Sequence, residues 1–235
     1  MQTIPNLADR KRDATLQEAR RWLLEEGLRF YEPNPGQLKF HQSQGEVRIL
    51  RAPNQHGKSW AGCVEIAYTV GKVHPHRENY TGMVCARDCA VTLEKARTVL
   101  QDTYRRILPR KPCDLPWFTF EGKQAWWPGL RGGSWATAMS TQESRLYLAD
   151  GSFIEFKAYE QALDTFAGNQ CHIIREDEEC KEEYHTENVA RQITLKRNII
   201  LTLTPLNYSQ WIYSIYEKAE SGVEPKFDCI LIERG

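Results

Sequence analysis

The chain carries no net charge that would advertise a partner: 31 lysines and arginines balance 31 aspartates and glutamates over 235 residues. That balance excludes a global basic field drawing in nucleic acid, so any such contact must come from a local patch. No uninterrupted apolar stretch approaches membrane-spanning length and no secretory leader is recognisable, so neither a membrane-bound nor an exported class is expected. Seven cysteines are scattered without paired spacing, which argues against a disulfide framework and for free thiols in a reducing compartment. Cys171, His172, Cys180 and His185 can be drawn as a zinc site, but their spacing fits no familiar ligand pattern. Internal repeats and low-complexity tracts are missing too, and the length allows one large or two small domains.

What is present is a strand aimed at a phosphate loop. Val47-Arg48-Ile49-Leu50-Arg51-Ala52 runs into Pro53-Asn54-Gln55-His56-Gly57-Lys58-Ser59, and a helix is expected from Trp60 to Tyr68. In such a loop backbone N–H groups wrap a β-phosphate, lysine reaches the β- and γ-oxygens, and the serine hydroxyl takes a place on Mg²⁺. The helix turns its positive end toward the phosphates. Gly-Lys-Ser alone arises by chance in roughly one chain in ten of this length, and Ala52 stands where the full pattern has glycine. A second signal is therefore needed.

It comes near residue 177. A nucleotide hydrolase must hold Mg²⁺ and activate a water, tasks that fall to carboxylates at a strand end beside the loop. The run Cys171 to Ile174 leads into Arg175-Glu176-Asp177-Glu178-Glu179. Asp177 is placed to hold a metal-bound water and Glu178 to orient the attacking water. Arg175 and Glu176 interrupt the apolar run, so Glu176 or Glu179 could share the work, and an acidic run is also the ordinary start of a solvated helix. After the apolar strand 198–203, the hydroxyls of Thr202 and Thr204 could sense the γ-phosphate, or the threonines simply suit a strand that Pro205 ends.

The remaining pattern is an α/β alternation. A capping box at Thr15 and Glu18 opens an amphipathic helix over 13–29, with a short helix at 38–42. A strand over 80–86 and a helix over 89–108 follow, implying a mostly parallel sheet with right-handed crossovers. Residues 109–143 break the rhythm and read as an insertion rich in Pro, Gly and Trp. Trp117, Trp126, Trp127 and Trp135 either stack on nucleic acid or pack the insertion down. Asp150-Gly151 between alternating runs marks a hairpin over 144–158. A helix at 209–220 and a strand at 227–232 close the sequence.

With these elements in order, the chain from about Phe30 onward resembles the ATPase (motor) domain of the large terminase subunit of tailed bacteriophages. The matching pieces are Pro35-Gly36-Gln37-Leu38-Lys39-Phe40-His41, the loop ending in Lys58-Ser59, the hairpin 150–156, Phe166-Ala167-Gly168, Asp177-Glu178-Glu179 and Thr202-Leu203-Thr204-Pro205. The resemblance implies a RecA-like P-loop fold of the additional-strand, catalytic-glutamate class, with residues 1–29 as an N-terminal helical extension. It implies ATP and Mg²⁺, bound by residues 53–59, with Lys58 and Ser59 on phosphate and metal and Asp177 as the Walker B aspartate. It makes Glu178 the catalytic glutamate, Gln37 an adenine contact with Tyr31 or Phe30 near for stacking, and Thr202 to Thr204 a coupling motif. Partners would be double-stranded DNA, the portal protein, a small terminase subunit and further copies in a ring of about five on the portal, in the host cytoplasm.

Two departures matter. Asn54 stands where many terminases carry an arginine, and Phe166-Ala167 where another is common, leaving Arg51, Arg131, Arg145 and Arg191 as candidates for an arginine finger. No nuclease domain follows the last strand, so DNA cleavage is not expected of this polypeptide. Competing readings are a related helicase-like translocase and a nucleotide-gated module that binds DNA or portal and hydrolyses weakly.

Overall fold

The computed structural model describes residues 16–18, 26–53, 56–120, 123–204, 209–222 and 226–231. A 3₁₀ turn at Gly27–Phe30 precedes α1, Pro35–Gln42, which Asn34 and Gln37 open as a reciprocal capping box. Then come β1 (Val47–Arg51), α2 (Lys58–Val70) and β2 (Cys85–Ala90). Helix α3 runs over 93–107, as Leu93–Lys95, a π-turn at Ala96–Gln101 and Asp102–Ile107. The antiparallel pair β3 (Cys113–Phe120) and β4 (Lys123–Trp127), then α4 (Trp135–Ala138), occupy the insertion. Strands β5 (Met139–Ser140), β6 (Arg145–Tyr147), β7 (Phe153–Ala158) and β8 (Ile173–Asp177) follow, then α5 (Glu182–Ala190), β9 (Ile199–Leu203), α6 (Gln210–Ser221) and β10 (Phe227–Leu231).

Eight strands form one sheet in the order β10-β1-β9-β8-β2-β7-β6-β5. From β10 to β7 every neighbouring pair is parallel, and β6 and β5 add an antiparallel edge. Strand β9 is inserted between β1, which leads into the Lys58-Ser59 turn, and β8, which carries Asp177. Alternation along β1 sends Leu50 to one face, with Val64, Ile66 and Trp127, and Ile49 to the other, with Leu201 and Ile212. Both faces are thus covered by helices, the arrangement parallel sheets need. Helix α2 lies under this sheet with residues 61–70 all buried.

Several boundaries differ from the sequence reading. The strand expected at 80–86 is β2, displaced to Cys85–Ala90, and its helix begins at Leu93 rather than Cys89. Arg87 and Asp88 are fully buried inside that strand: Arg87 pairs with Glu155 on β7, and Asp88 with Arg175 on β8. Likewise β8 does not stop at Ile174 but continues through buried Arg175 and Glu176 to Asp177. Helix α1 starts three residues earlier than expected, at Pro35, a residue suited to a first turn. Of the helix expected over 13–29, residues 16–18 are helical, Glu26 is non-helical and 27–30 form the 3₁₀ turn; residues 13–15, Thr15 among them, and 19–25 lie outside the described residues. In the insertion, Trp127 is buried and donates through Nε1 to the Pro109 carbonyl at 2.8 Å, Trp135 packs against the core and Trp126 is exposed. The Trp117 side chain lies outside the described residues. No helix among the described residues is long and apolar enough to cross a membrane.

Candidate nucleotide site

Gly57 caps α2 in the left-handed region, at φ 76°, where glycine is the residue that fits without strain. A Cβ there would also stand 2.7 Å from the Gln37 amide nitrogen, which donates to the Gly57 carbonyl at 3.2 Å. Gln37 also closes the capping box through its Oε1, accepting from the Asn34 N–H at 3.0 Å. The structure therefore uses Gln37 to brace the loop. Tyr31 is not placed to stack on a base: it is buried edge-on against His41 and Tyr68, its hydroxyl 3.0 Å from His41 Nε2, while Phe30 is exposed. Pro53 and His56 are half-buried on the loop, and Asn54 and Gln55 lie outside the described residues. Gly57, Lys58, Ser59 and Trp60 line an open hollow of about 310 Å³ at the helix N-terminus.

The acids meet the first turn of α2 beside this hollow. Lys58 Nζ lies 3.0 Å from Glu178 Oε1, and Ser59 Oγ lies 3.5 Å from Asp177 Oδ1, which accepts a 2.6 Å bond from the Thr202 hydroxyl. Thr204 holds Glu178 twice, through its hydroxyl at 2.9 Å and its N–H at 3.2 Å. Residues 118 positions apart thus meet because β1, β9 and β8 are neighbours whose carboxyl ends open on the same side. Partial burial would raise the Glu178 carboxyl, but Lys58 and Thr204 outweigh it and hold it below the ordinary value. Glu178 sits at φ 64°, a conformation costing about 1–3 kcal/mol for a non-glycine residue and typical of functional sites.

The other acids are elsewhere. Glu176 is buried between His185 Nδ1 at 2.8 Å and the Asn188 amide at 2.9 Å, and exposed Glu179 accepts from the Ser209 N–H. The candidate arginines are also engaged: Arg51 lies over the Tyr216 ring, Arg131 over Tyr147, Arg145 pairs with Glu155 and Arg191 with Glu187. No group of three or more metal-ligating side chains occurs among the described residues. Of the drawn zinc set, Cys171 faces Cys85 at 3.4 Å and His172 accepts from the Cys85 N–H.

One contributor was missed by sequence reasoning. Arg175 lies beneath α2, fully buried, donating to the Ser59 carbonyl at 2.8 Å and to Asp88 at 2.7 Å, with Tyr104 on the other Asp88 oxygen at 2.6 Å. Gly62 makes room for it, since a Cβ there would stand 2.5 Å from Arg175 Nη1. Arg175 thereby ties the acidic strand to the first turn of the loop helix. A glycine in a helix interior was the available signal, because it costs stability unless something must approach closely.

No protein-family model matches the sequence, and no curated protein matches it. Solved structures do. The ATPase domain of the large terminase of Thermus phage P74-26 superposes with a TM-score of 0.61 at 14% identity, over 87% of this chain and 82% of that one. The large terminase of a thermophilic bacteriophage superposes at 0.54 and 12% identity, over 86% of this chain and 45% of that one. The fold is that of a phage large-terminase ATPase domain. Identity this low speaks for the fold alone.

Proposed function

We propose that the chain is the ATP-hydrolysing motor domain of a phage terminase large subunit, driving double-stranded DNA into a procapsid. The observation that carries this reading is the direct meeting of Lys58 with Glu178 and of Ser59 with Asp177 beside an open hollow at the N-terminus of α2. A hydroxyl and a carboxylate within 3.5 Å of each other form an all-oxygen donor pair suited to Mg²⁺. When bound, that ion supplies positive charge at the β- and γ-phosphate oxygens, with Ser59 holding it and Asp177 holding its water.

The remaining work falls to the chain. Backbone N–H groups at the start of α2 take the β-phosphate, and the Lys58 ammonium leaves Glu178 for the γ-phosphate oxygens. Glu178 then stays anchored by Thr204, and the Oε1 lone pair that Lys58 vacates is available to the attacking water. It accepts the water proton as the new P–O bond forms and the bond to the ADP oxygen breaks. Because Thr202 and Thr204 donate to the two acids directly, a change in either carboxylate is felt at the end of β9, which supports a coupling role. Duplex DNA, the portal, a small terminase subunit and sister copies in a ring are the partners this reading carries.

The test is ATP turnover against ATP binding. Glu178→Gln should keep saturable binding of a fluorescent ATP analogue with Mg²⁺ and lose phosphate release; persistent turnover would remove Glu178 from the role of base. The engagement of Arg51, Arg131, Arg145 and Arg191 elsewhere favours slow turnover by the isolated chain. If turnover stays slow even with duplex DNA and portal, the nucleotide-gated binding module is the better reading.

A further inference from the structure

At the sheet edge far from β1, an open groove of about 580 Å³ separates α3 from the β5–β6 edge. Arg97, Gln101 and Arg105 stand along one face of α3, with Thr98 beside them and Thr141 and Ser144 on the opposite wall. Arg97 is exposed and has no hydrogen bond or ion pair among the described residues. Exposed Arg105 lies 4.9 Å over the Trp135 ring and meets no carboxylate among them. The acid in the wall, Asp102, is occupied by Arg106 at 2.6 Å. Gln101 is 9% exposed and its amide, lining the groove, has no partner among the described residues. Arg97 and Gln101 both lie in the π-turn of α3, a local departure that recurs at functional positions.

The Thr98 hydroxyl is spent on the Glu94 carbonyl at 2.9 Å, which leaves two guanidiniums without a carboxylate partner, an unpartnered amide and the Thr141 and Ser144 hydroxyls as donors for oxygen anions. Eight residues of helix put Arg97 and Arg105 about 12 Å apart, too far to share one small anion and suited to successive charges on an extended one. With zero net charge over the chain, attraction for a polyanion has to be local, and this groove is such a place. We propose that it grips the phosphate backbone of double-stranded DNA, Arg97 and Arg105 each neutralising a phosphate while Gln101 and the hydroxyls fix its position. The identity of the polyanion rests on the packaging-motor reading; the donor chemistry of the groove does not.

The experiment follows binding of the full chain to a fluorescent duplex of mixed sequence by anisotropy across a KCl series, with ATP-analogue binding measured in parallel. Arg97→Ala with Arg105→Ala should weaken duplex binding about tenfold or more at low salt and lower the salt slope by about 2, roughly equally on any sequence. Arg97→Lys with Arg105→Lys should keep the slope, and every variant should bind the ATP analogue like wild type. Arg97→Glu, at an exposed position without partners, keeps the test open if the double alanine variant unfolds, and it should weaken duplex binding at least as much as one alanine. Wild-type duplex affinity and slope in these variants would overturn the proposal. So would a wild-type chain that binds the ATP analogue but no duplex, or variants that change only self-association. Failure of the wild type to bind the ATP analogue would instead count against the motor reading.

Discussion

The N-terminus and the middle of α2 carry charge clusters of opposite character. At its N-terminus Lys58 meets Glu178, whose side chain is 32% exposed, beside a hollow open to solvent. Nearly two turns on, Glu65 is sealed: Arg48 reaches it at 2.5 Å, His41 at 2.6 Å and His74 at 3.0 Å. Arg48 also donates to Asn198 at 2.7 Å, tying the base of β9 into the same knot. Burial alone would push the Glu65 carboxyl up, but Arg48 and the two histidines hold it well below the usual carboxylate range. What differs is access. A pair that water and substrate reach exchanges partners cheaply, whereas a buried one is fixed by the cost of leaving either charge alone.

Breaking each cluster should therefore register in different measurements. Glu178→Gln should cut turnover by about 10²–10⁴-fold while costing less stability than a substitution in the sealed cluster, because the amide oxygen still accepts from Lys58, measured by phosphate release and by urea denaturation. Glu65→Ala should do the reverse, costing about 3–5 kcal/mol of stability because Arg48 is left buried and unpaired. Equal stability losses from the two would show that exposure is not what separates the clusters. Gly62→Ala probes the link between them: forcing Arg175 from beneath the loop helix should cost about 1–3 kcal/mol and weaken ATP-analogue binding, and a neutral result would mean that Arg175 has room to move.

Acidification gives a finer test. Burial lowers the His74 pKa, and its ring is neutral: Nε2 donates to Glu65 while Nδ1 accepts from the His76 and Arg77 N–H groups. Unfolded His74 takes a proton below about pH 6.5 and the folded form resists it, so its contribution is full above that pH and declines as pH falls through it. His185 works in the opposite sense. Burial would lower its pKa, but Glu176 outweighs that and raises it, giving stability that is present below about pH 6.5 and lost as pH rises through the folded value. Urea titrations of His74→Gln should flatten the acid-side decline, and those of His185→Gln should steepen it; identical profiles would remove these histidines from the account.

Much of the fold and the pairing of Lys58-Ser59 with Asp177-Glu178 were legible in the sequence, the sealed Glu65 cluster was not, and the illegible part has one cause. Apolar strands β1 and β9 announce themselves, Asp150-Gly151 marks its turn, and Lys58-Ser59 and Asp177-Glu178 need only neighbouring strands to meet. Hydropathy fails where a strand buries two charges in succession, whereas β1 survives one buried arginine, Arg48, among apolar neighbours. Arg87, Asp88 and Arg175 look like breaks because their partners lie 68 and 87 residues away, and β2 and β8 were displaced or cut short accordingly. Tyr31 fails for a related reason. Its aromatic character suits a base, but its hydroxyl finds His41 inside the core.

The most direct measurement is a calorimetric titration of the chain with Mg·ATP, run beside Lys58→Ala. Saturable single-site binding that the substitution abolishes is the predicted result. Absence of binding to the native chain, or equal binding by the two, would contradict the claim that Lys58 and the acids at 177 and 178 build one nucleotide site.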